Sequence, residues 1–127
     1  MAKKKLTKKQ IKINKQERHK KTKTYQKKQE RLKLKKLDTQ WAKAVKNKYN
    51  NKCALCGNEK LLNAHHIIPR EIKETRHMIE NGVALCPKHH KFDKTYSAHR
   101  NPLWFIIQLE KVCPDDLRKL MEIANRL

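Results

Sequence analysis

No run of about 18 apolar residues, the length that begins to span a bilayer, occurs in the chain. Nothing in the sequence therefore reads as a membrane anchor. The N-terminus also lacks the apolar stretch of a secretory leader, and we expect an intracellular, cytoplasmic protein. Acidic residues are few: 12 stand against 33 Lys and Arg in 127 residues, a formal charge of +21. Such an excess repels itself and calls for a polyanionic partner, with nucleic acid the leading class and an anionic membrane a weak second. Cysteine is limited to Cys53, Cys56, Cys86 and Cys113. In a reducing compartment four such thiols point to metal binding rather than disulfides. The length allows one modest domain, and there is no internal repeat. Composition alone thus describes an intracellular, nucleic-acid-binding, zinc-binding chain and does not indicate an enzyme.

Proline and glycine are absent from residues 1–37, so helix is not forbidden there. The apolar residues of this stretch, Leu6, Ile11, Ile13, Leu32, Leu34 and Leu37 among them, form no sustained helical stripe. It holds 17 basic and two acidic residues, a net of +15; residues 38–127 hold 16 and 10, a net of +6. We read residues 1–37 as a basic arm, disordered or loosely helical, that orders on a phosphate backbone. Lys3, Lys4, Lys5, Lys8, Lys9, Lys20, Lys21, Lys27, Lys28, Lys35 and Lys36 are its candidate nucleic-acid contacts.

The pattern changes at residue 38. Asp38 or Thr39 is expected to cap a helix with Trp41, Val45 and Tyr49 on its apolar face, stopped by Asn50-Asn51. Residues 60–68 read as a strand ending at Pro69, residues 70–80 as a polar connector, and residues 83–85 as a second short strand. Pro87 opens a helix with His89, His90 and Phe92. Asn101-Pro102 starts another, which ends at Pro114. A last helix after Asp115-Asp116 should bury Leu117, Leu120, Met121, Ala124 and Leu127.

Cys53-Ala-Leu-Cys56 is followed 30 positions later by Cys86-Pro-Lys-His89. Two short-spaced pairs, each spanning one edge of a tetrahedron, are how a chain encloses structural Zn²⁺. Gly57 suits a turn that needs a positive φ. His89 is the expected fourth ligand, with Cys113 the alternative. Structural zinc adds roughly 10–16 kcal/mol to folding in such modules, and residues 38–127 alone bury only a small core.

His65, His66 and His90 remain. Neighbours on a strand point to opposite faces, so His65-His66 cannot both be core without a reason. Phosphodiester cleavage needs a base near neutrality and a cation on the phosphate. The stretches CALCG, LLNAHHIIP and NGVALCPKHH over residues 53–90 resemble the zinc-containing branch of the His-Asn-His (HNH, ββα-metal) nucleases. The fuller likeness runs from about Trp41 to Lys94, with a core of residues 53–94, and SAHRNPLWF resembles the tails of small phage-encoded members. The resemblance implies an α+β fold, with a small zinc-stapled ββα-metal core and flanking helices in a domain spanning residues 38–127. It implies His66 as general base and His65 and His90 as ligands of one catalytic divalent ion, Mg²⁺ or Mn²⁺. Asn81 would orient His66 or pin the loop between the strands. Lys94 occupies the position where some members carry a further histidine, which leaves two protein ligands, with His99 a remote alternative. His19 and His77 are read as surface residues, and Arg70 and Arg76 as phosphate contacts or solvated charge. The implied reaction is DNA endonuclease cleavage, nicking or double-strand, to a 5′-phosphate and a 3′-hydroxyl. The rivals are a non-catalytic zinc protein on nucleic acid and an accessory factor in phage packaging or recombination; oligomeric state is left open.

Overall fold

The computed structural model describes residues 5–127, so the candidate contacts Lys3 and Lys4 lie outside the described residues. The described residues form two compact units, divided between Lys36 and Leu37. Helix α1, Lys8–Lys48, supplies residues to both. It starts in a capping box: Gln10 N–H donates to the Thr7 hydroxyl at 3.3 Å and Thr7 N–H to Gln10 Oε1 at 3.0 Å. From residue 5 to 36 every described side chain is exposed, Tyr25 and Ile11 included.

The expected helix start at Asp38 or Thr39 is not seen, because α1 runs through both residues. No Pro or Gly interrupts it, and Lys, Arg, Gln, Glu and Leu are all inexpensive in a helix. The Asp38 carboxylate is engaged by Arg76 and His77 instead of capping. The expected stop holds: Asn50 and Asn51 both take φ of 54° just beyond the last turn.

In the second unit, β1 (Asn63–His66) pairs antiparallel with β2 (Gly82–Leu85), with Ala64 opposite Ala84, His65 opposite Val83 and His66 opposite Gly82. β1 is shorter than residues 60–68. Leu61, with a φ of 53°, breaks the extended run before it, and Ile67 and Ile68 leave the strand to bond Asn81. All four residues of β2 are buried. A helical turn at Ile79–Asn81 precedes β2 and a wider turn at Lys88–Phe92 follows. In the latter, Asp93 N–H reaches back to the Lys88 carbonyl at 3.0 Å.

Helices α2 (Pro102–Val112) and α3 (Pro114–Ala124) close the core. The Asn101 side chain caps α2 by accepting Trp104 N–H at 3.1 Å. Val83, Leu85, Phe105, Leu109, Cys113 and Leu117 pack into one cluster. α3 buries Leu117, Leu120 and Ile123, whereas Met121, Ala124 and Leu127, expected inside, are exposed. The inward stripe follows 117, 120 and 123, and Met121 falls off it. No helix among the described residues is long and apolar enough to cross a membrane.

Candidate active site and metal centres

Cys53 and Cys56 sit on a tight knuckle. Gly57 N–H bonds the Cys53 carbonyl at 2.9 Å, and Gly57 takes the positive φ of 75° that this turn requires. Ala54 N–H bonds the Ala84 carbonyl at 2.9 Å, docking the knuckle on β2 just before Cys86. The ligand atoms of Cys53, Cys56, Cys86 and His89 all lie within 4.8 Å of one another. Cys56 Sγ is 3.7 Å from Cys86 Sγ, and His89 Nδ1 is 3.4 Å from Cys86 Sγ and 3.7 Å from Cys53 Sγ. A tetrahedron with Zn–S of about 2.3 Å and Zn–N of about 2.0–2.1 Å has edges of roughly 3.5–3.8 Å, so the donor set fits zinc. Burial, helped by the neighbouring Cys53 and Cys86 thiols and opposed by a backbone bond at Asn58, pushes the Cys56 thiol up to about 11. A bound dication would offset that cost of holding a thiolate there. Cys113 is not in this group; it is buried in the core beside Tyr49.

A second group unites His65, His90 and His99, again with ligand atoms within 4.8 Å. His99 Nε2 and His90 Nε2 face each other at 3.1 Å, close to the roughly 3.0 Å edge of two nitrogens on one cation at about 2.1 Å. His65 meets both rings edge-on, with centroids at 5.4 Å and 5.0 Å, and rests on Phe105. Burial, then the charges of His90 and His99, holds His65 down at about 3, and burial lowers His90 as well. Both imidazoles are therefore neutral and ligand-competent near neutral pH.

His99 enters by a chain reversal that residue spacing does not reveal. Asp93 Oδ1 accepts Thr95 N–H and Tyr96 N–H at 2.9 and 2.8 Å, and the buried Ser97 donates its hydroxyl to the Asp93 carbonyl at 2.5 Å. The chain then returns alongside the wide turn: Ala98 N–H bonds the His89 carbonyl at 2.8 Å and His99 N–H the His90 carbonyl at 3.2 Å. The exposed Lys94 lies within that reversal.

His66 points the other way from His65, as alternation on a strand requires. Its ring stacks on Trp41 with centroids 3.8 Å apart and planes 11° apart. Its Nε2–H donates to the Arg76 carbonyl at 2.9 Å, which leaves Nδ1 as the nitrogen able to accept a proton. Burial lowers its pKa, against the bond to Arg76. His65, His66, His90 and His99 nevertheless line one cleft of about 530 Å³, together with Arg70 and Glu71.

Asn81 is fully buried and ties the connector to the sheet. Its Oδ1 accepts Ile68 N–H at 2.6 Å, and its Nδ2 donates to the Ile68 and Thr75 carbonyls at 3.0 and 3.1 Å. These bonds join Ile68, just past β1, to the connector, and none of them reaches His66. Arg76 and His77 depart from the sequence reading. Arg76 forms a bidentate pair with Asp38 at 2.9 and 2.6 Å, and His77 Nε2 meets the same carboxylate at 2.8 Å. The Arg76 guanidinium holds the Asp38 carboxyl down at about 2. Arg70 stays exposed at the cleft.

A two-stranded antiparallel sheet followed by a helical turn, with a Cys3His group and a histidine cluster at its edges, is the ββα-metal architecture. Residues 53–96 match the family described as HNH endonuclease. Comparison with curated proteins and with solved structures gives no match. The family supports nuclease activity in general, with nucleic acid as substrate.

Proposed function

We propose that the protein is a metal-dependent DNA endonuclease with His66 as its general base. The observation that carries this reading is the bond from His66 Nε2–H to the Arg76 carbonyl. It fixes one tautomer and turns the lone pair of Nδ1 into a waiting proton acceptor. His65, His90 and His99 would hold one divalent ion. When bound, that ion supplies Lewis acidity to the scissile phosphate and the leaving oxygen. Three imidazoles with no carboxylate favour a first-row transition ion such as Mn²⁺ over Mg²⁺, which prefers oxygen.

His66 takes a proton from the attacking water. A new P–O bond forms as the bond to the 3′ oxygen breaks, and that oxygen takes up a proton, giving a 5′-phosphate and a 3′-hydroxyl. Arg70, exposed at the cleft, is suited to hold a phosphate oxygen. Lys5, Lys8, Lys9, Lys20, Lys21, Lys27, Lys28, Lys35 and Lys36 would contact the backbone without reading sequence. Cys53, Cys56, Cys86 and His89 would keep zinc as a structural ion.

The test is cleavage of supercoiled plasmid by zinc-loaded protein given no further ion, Mn²⁺ or Mg²⁺, beside His66→Ala that has been checked for fold and DNA binding. Cutting should require the added ion and fall by about 10²–10⁴-fold in His66→Ala. A folded, DNA-binding wild type that cuts with no ion would sink the proposal.

A further inference from the structure

The residues that hold His66 include two from outside the segment matched to the nuclease family. Asp38 and Trp41 are three positions apart on α1, hence on one face. Trp41 covers the His66 ring on one side. Gly82, opposite His66 in the sheet, makes room for this: a Cβ there would lie 2.8 Å from Trp41 Cζ2 and 2.2 Å from Val45 Cγ2. The carbonyl that accepts the hydrogen bond from His66 Nε2–H belongs to Arg76, and the segment around it is stitched to α1. Asp38 takes both arms of the Arg76 guanidinium and the His77 imidazole. Trp41 Nε1–H donates to the Met78 carbonyl at 2.8 Å. Arg76 also donates to the Arg70 carbonyl at 3.3 Å, fixing the far side of the connector.

We propose that Asp38 and Trp41 are positioning residues that set the tautomer and aim of His66, Asp38 through Arg76 and Trp41 by direct stacking. This rests on the reading of His66 as the base. The action is geometric. The Asp38 carboxylate and the Arg76 guanidinium face the same imidazole with opposite signs, so their charges offset while their mutual grip holds the carbonyl still. A bidentate pair does this and a single ammonium does not, since only the planar fork fixes orientation. An ordinary anchoring role for the Asp38–Arg76 pair would affect folding without altering which His66 nitrogen carries the proton.

The test pairs ¹⁵N NMR of the His66 ring with steady-state cleavage of an oligonucleotide duplex, using full-length zinc-loaded protein. Wild type should show the Nε2–H tautomer. Asp38→Asn and Arg76→Lys should each mix the tautomers and lower kcat about 10-fold or more with KM nearly unchanged. Asp38→Glu, which keeps the carboxylate, should recover most of kcat. Folded variants that retain both the Nε2–H tautomer and kcat would overturn the proposal. If Asp38→Asn does not fold, Arg76→Lys, which keeps the charge, decides alone. If wild type does not cut, the endonuclease reading fails, while the tautomer in the variants still reports on the latch.

Discussion

Replacing Asn81 by alanine should unfold the site from its hinge. The side chain is fully buried and makes three bonds, to Ile68 N–H, the Ile68 carbonyl and the Thr75 carbonyl. Alanine deletes all three and strands three backbone groups. Each buried group left without a partner costs about 1–3 kcal/mol. Even if water re-enters to relieve some of this, at least about 3 kcal/mol should be lost. Against the roughly 5–15 kcal/mol that holds a small domain together, that is a large share. The assay is guanidinium unfolding of zinc-saturated protein followed by tryptophan fluorescence, since Trp41 and Trp104 both lie in the second unit. Asn81→Asp gives an independent reading. It keeps the acceptor for Ile68 N–H but turns a carboxylate toward two carbonyls, so it should be no better than alanine at neutral pH. A loss under about 1 kcal/mol for Asn81→Ala would refute the clamp. It would also remove the account of how the connector brings the Arg76 carbonyl to His66.

Stripping zinc with a thiol-selective chelator should unfold the second unit, read as loss of near-ultraviolet ellipticity, and Cys86→Ser should do the same; a chain that stays folded without metal would refute a structural ion. His99→Ala should raise the Mn²⁺ concentration for half-maximal cleavage by about 10–100-fold while Lys94→Ala leaves it unchanged; the reverse ranking would refute the three-histidine set. If the lysines of residues 5–36 neutralise about six phosphates, DNA affinity should fall roughly 10³-fold between about 50 and 200 mM salt, measured by anisotropy. A shallow slope would separate that segment from DNA binding.

The parts of the fold that were legible in the sequence are those written in local chemistry. Cys53, Cys56, Cys86 and His89 have the spacing of tetrahedral edges, and they meet at such distances. His65 and His66 are strand neighbours, and they face opposite ways onto one cleft. The start of α1 was legible too, as Thr7-Lys-Lys-Gln10, but the change of composition at residue 38 drew the boundary away from it. The extent of β1 was not, because the left-handed turn at Leu61 is made by a residue that seldom adopts it.

What the sequence concealed are contacts made across the fold. His99 reaches His90 only because Asp93 and Ser97 turn the chain back. Arg76, in a polar connector, looks like solvated charge until α1 presents Asp38 to it. Trp41 reads as core from its helical spacing and is indeed buried, yet one of its faces is spent on His66. These residues share a physical origin. The matched segment supplies His66 and Arg76, but the side chains that stack on the one and pair with the other, Trp41 and Asp38, stand on a helix and precede that segment. A core of 44 residues from 53 to 96 has too little apolar surface to hold its own connector rigid. Gly82 is the concession that lets α1 come close enough to do so. The bond between His66 and the Arg76 carbonyl therefore draws on residues from across the second unit, and a segment cut to residues 53–96 would keep His65, His66 and His90 but lose His99, Asp38 and Trp41.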